Sequence, residues 1–109
     1  GDWHALKAQE KGRSSVTEGI PEHLPALLRA AKVESRSASL GELVPEPALV
    51  DVAETVTASI ADEHEFGDLL LALVRVGRQR DWDSEAALRA AVRGRMTQIR
   101  AVESEGEEG

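Results

Sequence analysis

From Ala48 onward the apolar residues fall on two stripes with a period near 100° per residue. Leu49, Val52, Ala53, Val56 and Ile60 form the first, and Phe66, Leu69, Leu70, Leu73 and Val76 the second. Each stripe predicts a core helix. No Gly or Pro lies between them, so the pattern fits either two helices with a tight break capped by Ser59 or Asp62, or one bent helix over 48–78. Upstream, Leu24, Leu27, Leu28 and Ala31 recur at three- and four-residue spacing. Pro21 suits a first turn, Pro25 still falls within that turn, and Gly41 supplies a stop. Glu42 to Pro47 carries two prolines and reads as a connection. Gly77 to Asp83 reads as a turn, after which Asp83 or Ser84 can cap a last helix bearing Leu88, Ala91, Val92, Ile99 and Val102, weakened at Gly94. At the N-terminus Asp2 can cap a short helix from Trp3 to Glu10, followed by a polar loop over Arg13 to Gly19. Strand-like alternation of β-branched residues is nearly missing. The expectation is an all-α chain: a lead-in helix and loop over 1–19, a helical domain over 20–102, and a disordered acidic tail over 103–109.

A length of 109 residues allows one core. The chain has no cysteine, which excludes a disulfide framework, a thiolate zinc site and a cysteine nucleophile. The longest apolar run, Leu69 to Val74, is far shorter than the roughly 18 to 20 residues that span a bilayer, and no basic-then-apolar signal pattern opens the chain. Reducing cytoplasm is the compartment that fits best. The net charge of −7 owes much to Glu103, Glu105, Glu107 and Glu108; the remaining 16 acids face 13 bases. Seven of those bases are arginines between Arg75 and Arg100, set against Asp81, Asp83 and Glu85, so one end of the fold is expected to be locally positive. With no Tyr, one Phe and two Trp the chain has little to stack on bases, and nucleic-acid binding is disfavoured.

Candidate chemistry begins with Glu65 and Asp68, whose three-residue spacing puts both carboxylates on one side of a helix, as a divalent cation requires. Asp51/Glu54, Asp62/Glu65 and Glu105/Glu108 show the same spacing, so the spacing alone describes a solvated face equally well. Glu65 and Asp68 stand out because they precede the most apolar run and because Ala72 leaves room beside Glu65. Against that, Asp62-x-x-Glu65 also has the form of a capping pair. Glu54 lies roughly opposite its helix's apolar stripe, facing water or a second cleft with Ala58 and Ala61. His4, His23 and His64 form no helical metal pair. His64, beside Glu65, is either a surface residue at a helix start or a proton carrier. Serine nucleophiles find no Gly-x-Ser-x-Gly elbow, and Gly12-Arg13-Ser14-Ser15 lacks the strand and lysine of a phosphate loop.

Three segments carry a family resemblance: Trp3-His-Ala-Leu-Lys-Ala-Gln-Glu-Lys11, Ser15-Val-Thr-Glu-Gly-Ile-Pro-Glu-His-Leu-Pro-Ala-Leu-Leu-Arg-Ala-Ala-Lys32, and Glu63-His-Glu-Phe-Gly-Asp-Leu-Leu-Leu-Ala-Leu-Val74. Over roughly residues 3–103 the chain resembles the C-terminal domain of MazG-type nucleoside triphosphate pyrophosphohydrolases. The most specific piece is Pro-x-x-Leu-Pro-Ala-Leu-Leu-Arg-Ala-Ala-Lys at 21–32. The resemblance implies an all-α bundle completed by dimerisation. It implies hydrolysis of NTPs to NMP and pyrophosphate, with Mg²⁺ held by a Glu-Glu-x-x-Glu segment and a later Glu-x-x-Asp segment. Glu65 and Asp68 match the second in full. The first reads Glu54-Thr55-Val56-Thr57-Ala58, so one acid of three survives, and only six residues separate Ala58 from Glu65. Arg75 stands where the family has an asparagine, and Val92-Arg93-Gly94 where it has Asn-x-Lys, leaving Arg93 or Arg95 as substitute phosphate contacts.

The implied site is therefore Glu54, Glu65 and Asp68 on the metal with Arg93 and Arg95 on the substrate, and losing two carboxylates weakens it. Two readings follow. One is a pyrophosphohydrolase domain with a weakened Mg²⁺ site. The other is a non-catalytic dimerisation half of a two-domain protein, joined through the lead-in segment. Amphipathic faces left uncovered in so short a chain point to a homodimer in either case.

Overall fold

The computed structural model describes residues 15–41, 43 and 45–108, with the side chains of 106–108 excepted. The expected lead-in helix over Trp3 to Glu10 lies outside the described residues. Four α-helices follow in order: α1 (Ala26–Ser37), α2 (Pro47–Thr57), α3 (Glu63–Gln79) and α4 (Ser84–Glu108), with a 3₁₀ turn at Ala38–Leu40 behind α1. Among the described residues there is no strand, and no helix is long and apolar enough to cross a membrane. The all-α expectation holds. The described residues group into two compact units, one built from 15–43 with 88–108 and the other from 45–87.

The first unit holds the core: Ile20, Val33, Val92, Met96 and Ile99 are buried together, joining the 15–20 turn, α1 and α4. Two expectations about α1 are corrected. The helix begins after Pro25 rather than at Pro21, with Pro25 extended (φ −53°, ψ 143°) and its carbonyl accepting the Arg29 N–H at 2.9 Å. A proline drives the residue before it out of the helical region, so Leu24 cannot belong to the helix. The apolar stripe expected from Leu27 and Leu28 is exposed, and the buried face runs through Ala26, Arg29, Val33 and Ser37. Gly41 ends the segment as expected, at φ +84°, where an L side chain is strained.

The tail expected to be disordered from residue 103 is helical through Glu108. Glu103 shows why: one carboxylate oxygen accepts the Ser15 hydroxyl at 2.7 Å and the other the Val16 N–H at 2.9 Å. Arg36 holds the same turn from the other side, donating to the carbonyls of Val16 and Glu18.

In the second unit the choice between two helices and one bent helix resolves in favour of two. α2 opens on Pro47 at its first turn and ends at Thr57; α3 starts after Asp62, whose carboxylate, rather than Ser59, supplies the cap. α3 stops in a tight turn in which the Arg80 and Trp82 N–H groups both donate to the Gly77 carbonyl, with Asp81 left-handed at φ +59°. The turn presses Gly77 onto Ser84: a Cβ added there would sit 2.9 Å from the Ser84 hydroxyl. Asp83 then caps α4 by accepting the Ala86 N–H at 3.0 Å.

The two stripes expected to be core helices are not buried within this unit. Leu49 is 66% and Leu73 58% exposed, and Val52, Val56, Phe66 and Val76 are exposed with them, while Ile60, Leu69 and Leu70 are half-buried. Among the described residues of this unit no apolar side chain longer than Ala is buried.

Candidate functional site

Each candidate acid takes its position from the local backbone. Glu65 stands in the first turn of α3, where its own N–H donates to Asp62 Oδ1 at 2.9 Å and its Oε2 accepts the Ala61 N–H at 2.7 Å. The two acids satisfy donors on each other's side of the helix start, in the manner of a capping box, with Glu65 reaching one residue further back. Asp68 faces His64 one turn earlier, His64 Nε2 to Asp68 Oδ2 being 3.7 Å, with both side chains largely in water. Glu54 is exposed on α2. The other two acid positions of the resembled motif fall on Thr55 and Ala58, and the Thr55 hydroxyl donates to its own helix at Asp51 O, 2.9 Å away.

A divalent cation needs oxygens that converge. Among the described residues no three His, Asp or Glu side chains come together in a group that could hold a metal ion. A groove of about 560 Å³ runs along α3 past Asp68, Leu71, Ala72, Val74, Arg75 and Arg78. A second, of about 460 Å³, lies at the α2–α3 break and is lined by Thr57, Ile60, Asp62 and Phe66 among others. Glu54 and Glu65 line neither. Among the described residues Glu54, Glu65 and Asp68 therefore form no converging donor set of the kind Mg²⁺ requires.

The candidate phosphate ligands lie in the other unit. Arg93 is exposed on α4. The Arg95 side chain is 9% exposed, and its fork is committed: Nε meets Glu34 at 2.7 Å, Nη1 donates to Gln98, and Nη2 to the Ser37 hydroxyl and the Leu43 carbonyl. Arg89 is similarly engaged with the carbonyls of Glu22 and Leu24. Two of the seven arginines expected to make a positive end thus tie α4 to the 22–43 segment.

Sequence reasoning missed Arg29. It is buried on the core face of α1, its Nη2 reaches Met96 Sδ at 3.5 Å, and its Nε has no hydrogen-bond partner. An arginine within an apolar period carries no signal that separates a buried cation from a surface one.

Comparison with known proteins gives similarity over most of the chain. A nucleoside triphosphate pyrophosphohydrolase of Escherichia coli (strain K12) is 31% identical over 105 aligned positions, covering 82% of this chain and 40% of that protein. The nucleoside triphosphate pyrophosphohydrolase/pyrophosphatase MazG of Thermotoga maritima is also 31% identical, covering 93% of this chain and 44% of the relative. An uncharacterized 26.1 kDa protein of Streptomyces cacaoi is 40% identical, covering 93% of this chain and 37% of its own length. The chain spans about 40% of the length of these curated relatives. No family profile and no solved structure gives a significant match.

Proposed function

We propose that this chain is a helical domain of a MazG-type nucleoside triphosphate pyrophosphohydrolase, and that its part in such a protein is to pair with a second copy rather than to hold the catalytic metal. The reaction of the whole protein is NTP plus water to NMP plus pyrophosphate, on the cytoplasmic nucleotide pool. Mg²⁺ is the cofactor where both acidic segments are intact. The kinship rests on similarity to pyrophosphohydrolases over 82% and 93% of the chain, together with the helical fold and the Glu65-x-x-Asp68 match.

One observation carries the role: the unit that bears the acidic motifs keeps its apolar residues in water while its carboxylates stay apart. Burying one Leu, Val or Phe is worth about 1.5–3 kcal/mol. Leu49, Val52 and Val56 on α2 with Phe66, Leu73 and Val76 on α3, duplicated by a partner, supply enough to outweigh the cost of association. An isologous pairing suits this best, because the same face then covers itself.

The rival is a weakened Mg²⁺ site at Glu54, Glu65 and Asp68 with Arg93 or Arg95 on the phosphates. Sedimentation equilibrium and a pyrophosphate-release assay with a panel of NTPs and Mg²⁺ separate the two. The expected result is a dimer with no Mg²⁺-dependent turnover. Pyrophosphate release abolished by Glu65→Ala and by Asp68→Ala establishes the rival, and a chain monomeric at high concentration removes the pairing.

A further inference from the structure

We infer that Glu65 works in this chain as a clamp on the start of α3 and not as a metal ligand, so that the α2–α3 segment holds its shape without a divalent cation. The inference deepens the proposed non-catalytic role and rests on that reading. A carboxylate that matches a metal motif can serve the cation or the backbone, and the geometry here allocates it to the backbone.

The break at 58–62 explains why a clamp is needed. Asp62 is extended at φ −154° and ψ 176°, so the chain leaves α2 and re-enters a helix within a few residues. Ile60 N–H finds the Thr57 carbonyl at 2.9 Å, and Phe66 N–H finds the Asp62 carbonyl at 3.1 Å. Between them the Ala61 N–H has no helical acceptor, and Glu65 Oε2 takes it at 2.7 Å, in the range of a charge-assisted bond. Asp62 Oδ1 returns the arrangement by accepting Glu65 N–H. Glu63, Glu65 and Asp62 all stand at the positive end of the α3 dipole, which favours negative charge there without a cation. Nothing opposite competes for Glu65: of the three acid positions on α2 in the resembled motif, Thr55 bonds its own helix, Ala58 has no oxygen to offer, and Glu54 is in water.

The two roles give opposite signs when the charge is removed. In a ligand cluster free of metal, neutralising one acid relieves repulsion; in a clamp it removes an acceptor. Glutamine discriminates further, since its amide oxygen still accepts an N–H but is a poor ligand for Mg²⁺.

The experiment measures thermal melting and amide exchange at Ala61 for the wild type, Glu65→Gln, Glu65→Ala and Asp62→Ala, each with and without millimolar Mg²⁺. Glu65→Ala is expected to lower Tm by about 4 °C and to speed Ala61 exchange roughly fivefold, as the loss of one cap does in a chain of this size. Glu65→Gln is expected to keep most of the wild-type behaviour, and Mg²⁺ to shift none of the four. A Tm that rises with Mg²⁺ in the wild type and no longer does so in Glu65→Gln overturns the inference, as does a higher Tm for Glu65→Ala than for the wild type without metal. Sedimentation of the same samples keeps the readings apart: a monomeric wild type defeats the pairing while leaving the clamp result intact.

Discussion

Arg29 is the least economical residue of the chain. Its guanidinium is buried against Met96, whose thioether is a weak acceptor, and among the described residues no carboxylate pairs with it. An apolar side chain of similar length at such a position removes the cost of keeping a polar group buried without a full set of partners. Arg29→Met is therefore expected to leave the urea midpoint unchanged or raise it, and a clear fall would reveal an anionic partner beyond the described residues. The same residue explains why the orientation of α1 was not legible. A binary reading assigns Arg29 outward and Leu27 and Leu28 inward, and the fold does the reverse. Glu103 was hidden for a different reason, since its partners Ser15 and Val16 lie 88 and 87 residues away and no local pattern joins them.

At the level of elements, legibility followed the chemistry of the helix ends. Asp62 and Asp83 were both readable as caps, because a short acceptor before an apolar period satisfies donors that a helix start leaves open. The stop at Gly41 and the turn after Gly77 were readable too. The start of α1 was not, because Pro21 and Pro25 are each acceptable in a first turn and only the conformation of Leu24 decides between them. α4 offers a test of propensity alone. Gly94 sits inside this long helix, and a Cβ built there meets nothing within 4 Å. With space free and the backbone helical, Gly94→Ala has only the entropy of the unfolded chain to change, worth about 0.8–1 kcal/mol. A rise in Tm of roughly 4 °C by calorimetry is expected. No gain would mean that this stretch of α4 is covered by something a methyl group disturbs.

For the whole molecule, an amphipathic stripe tells that a face is to be buried but not by what. That is why the α2 and α3 periods were legible while the exposure of their apolar faces within their own unit was not. Leu73 exposes more than half its surface near the middle of α3. On a free surface, Leu73→Asp costs within about 0.5 kcal/mol either way and leaves a monomer's Tm almost unmoved. In a paired face the new carboxylate stands desolvated beside its symmetry mate, and burial of like charges opposes association strongly. The expected outcome is dissociation by sedimentation, with a Tm that loses its dependence on protein concentration because folding is no longer linked to assembly. Leu27→Asp is the control, since Leu27 is equally exposed but lies on α1 in the unit that has its own core, and it is expected to leave the pairing unchanged. If both substitutions leave the sedimentation of a dimer untouched, the copies meet elsewhere, and the apolar face of α3 must be covered by a different surface.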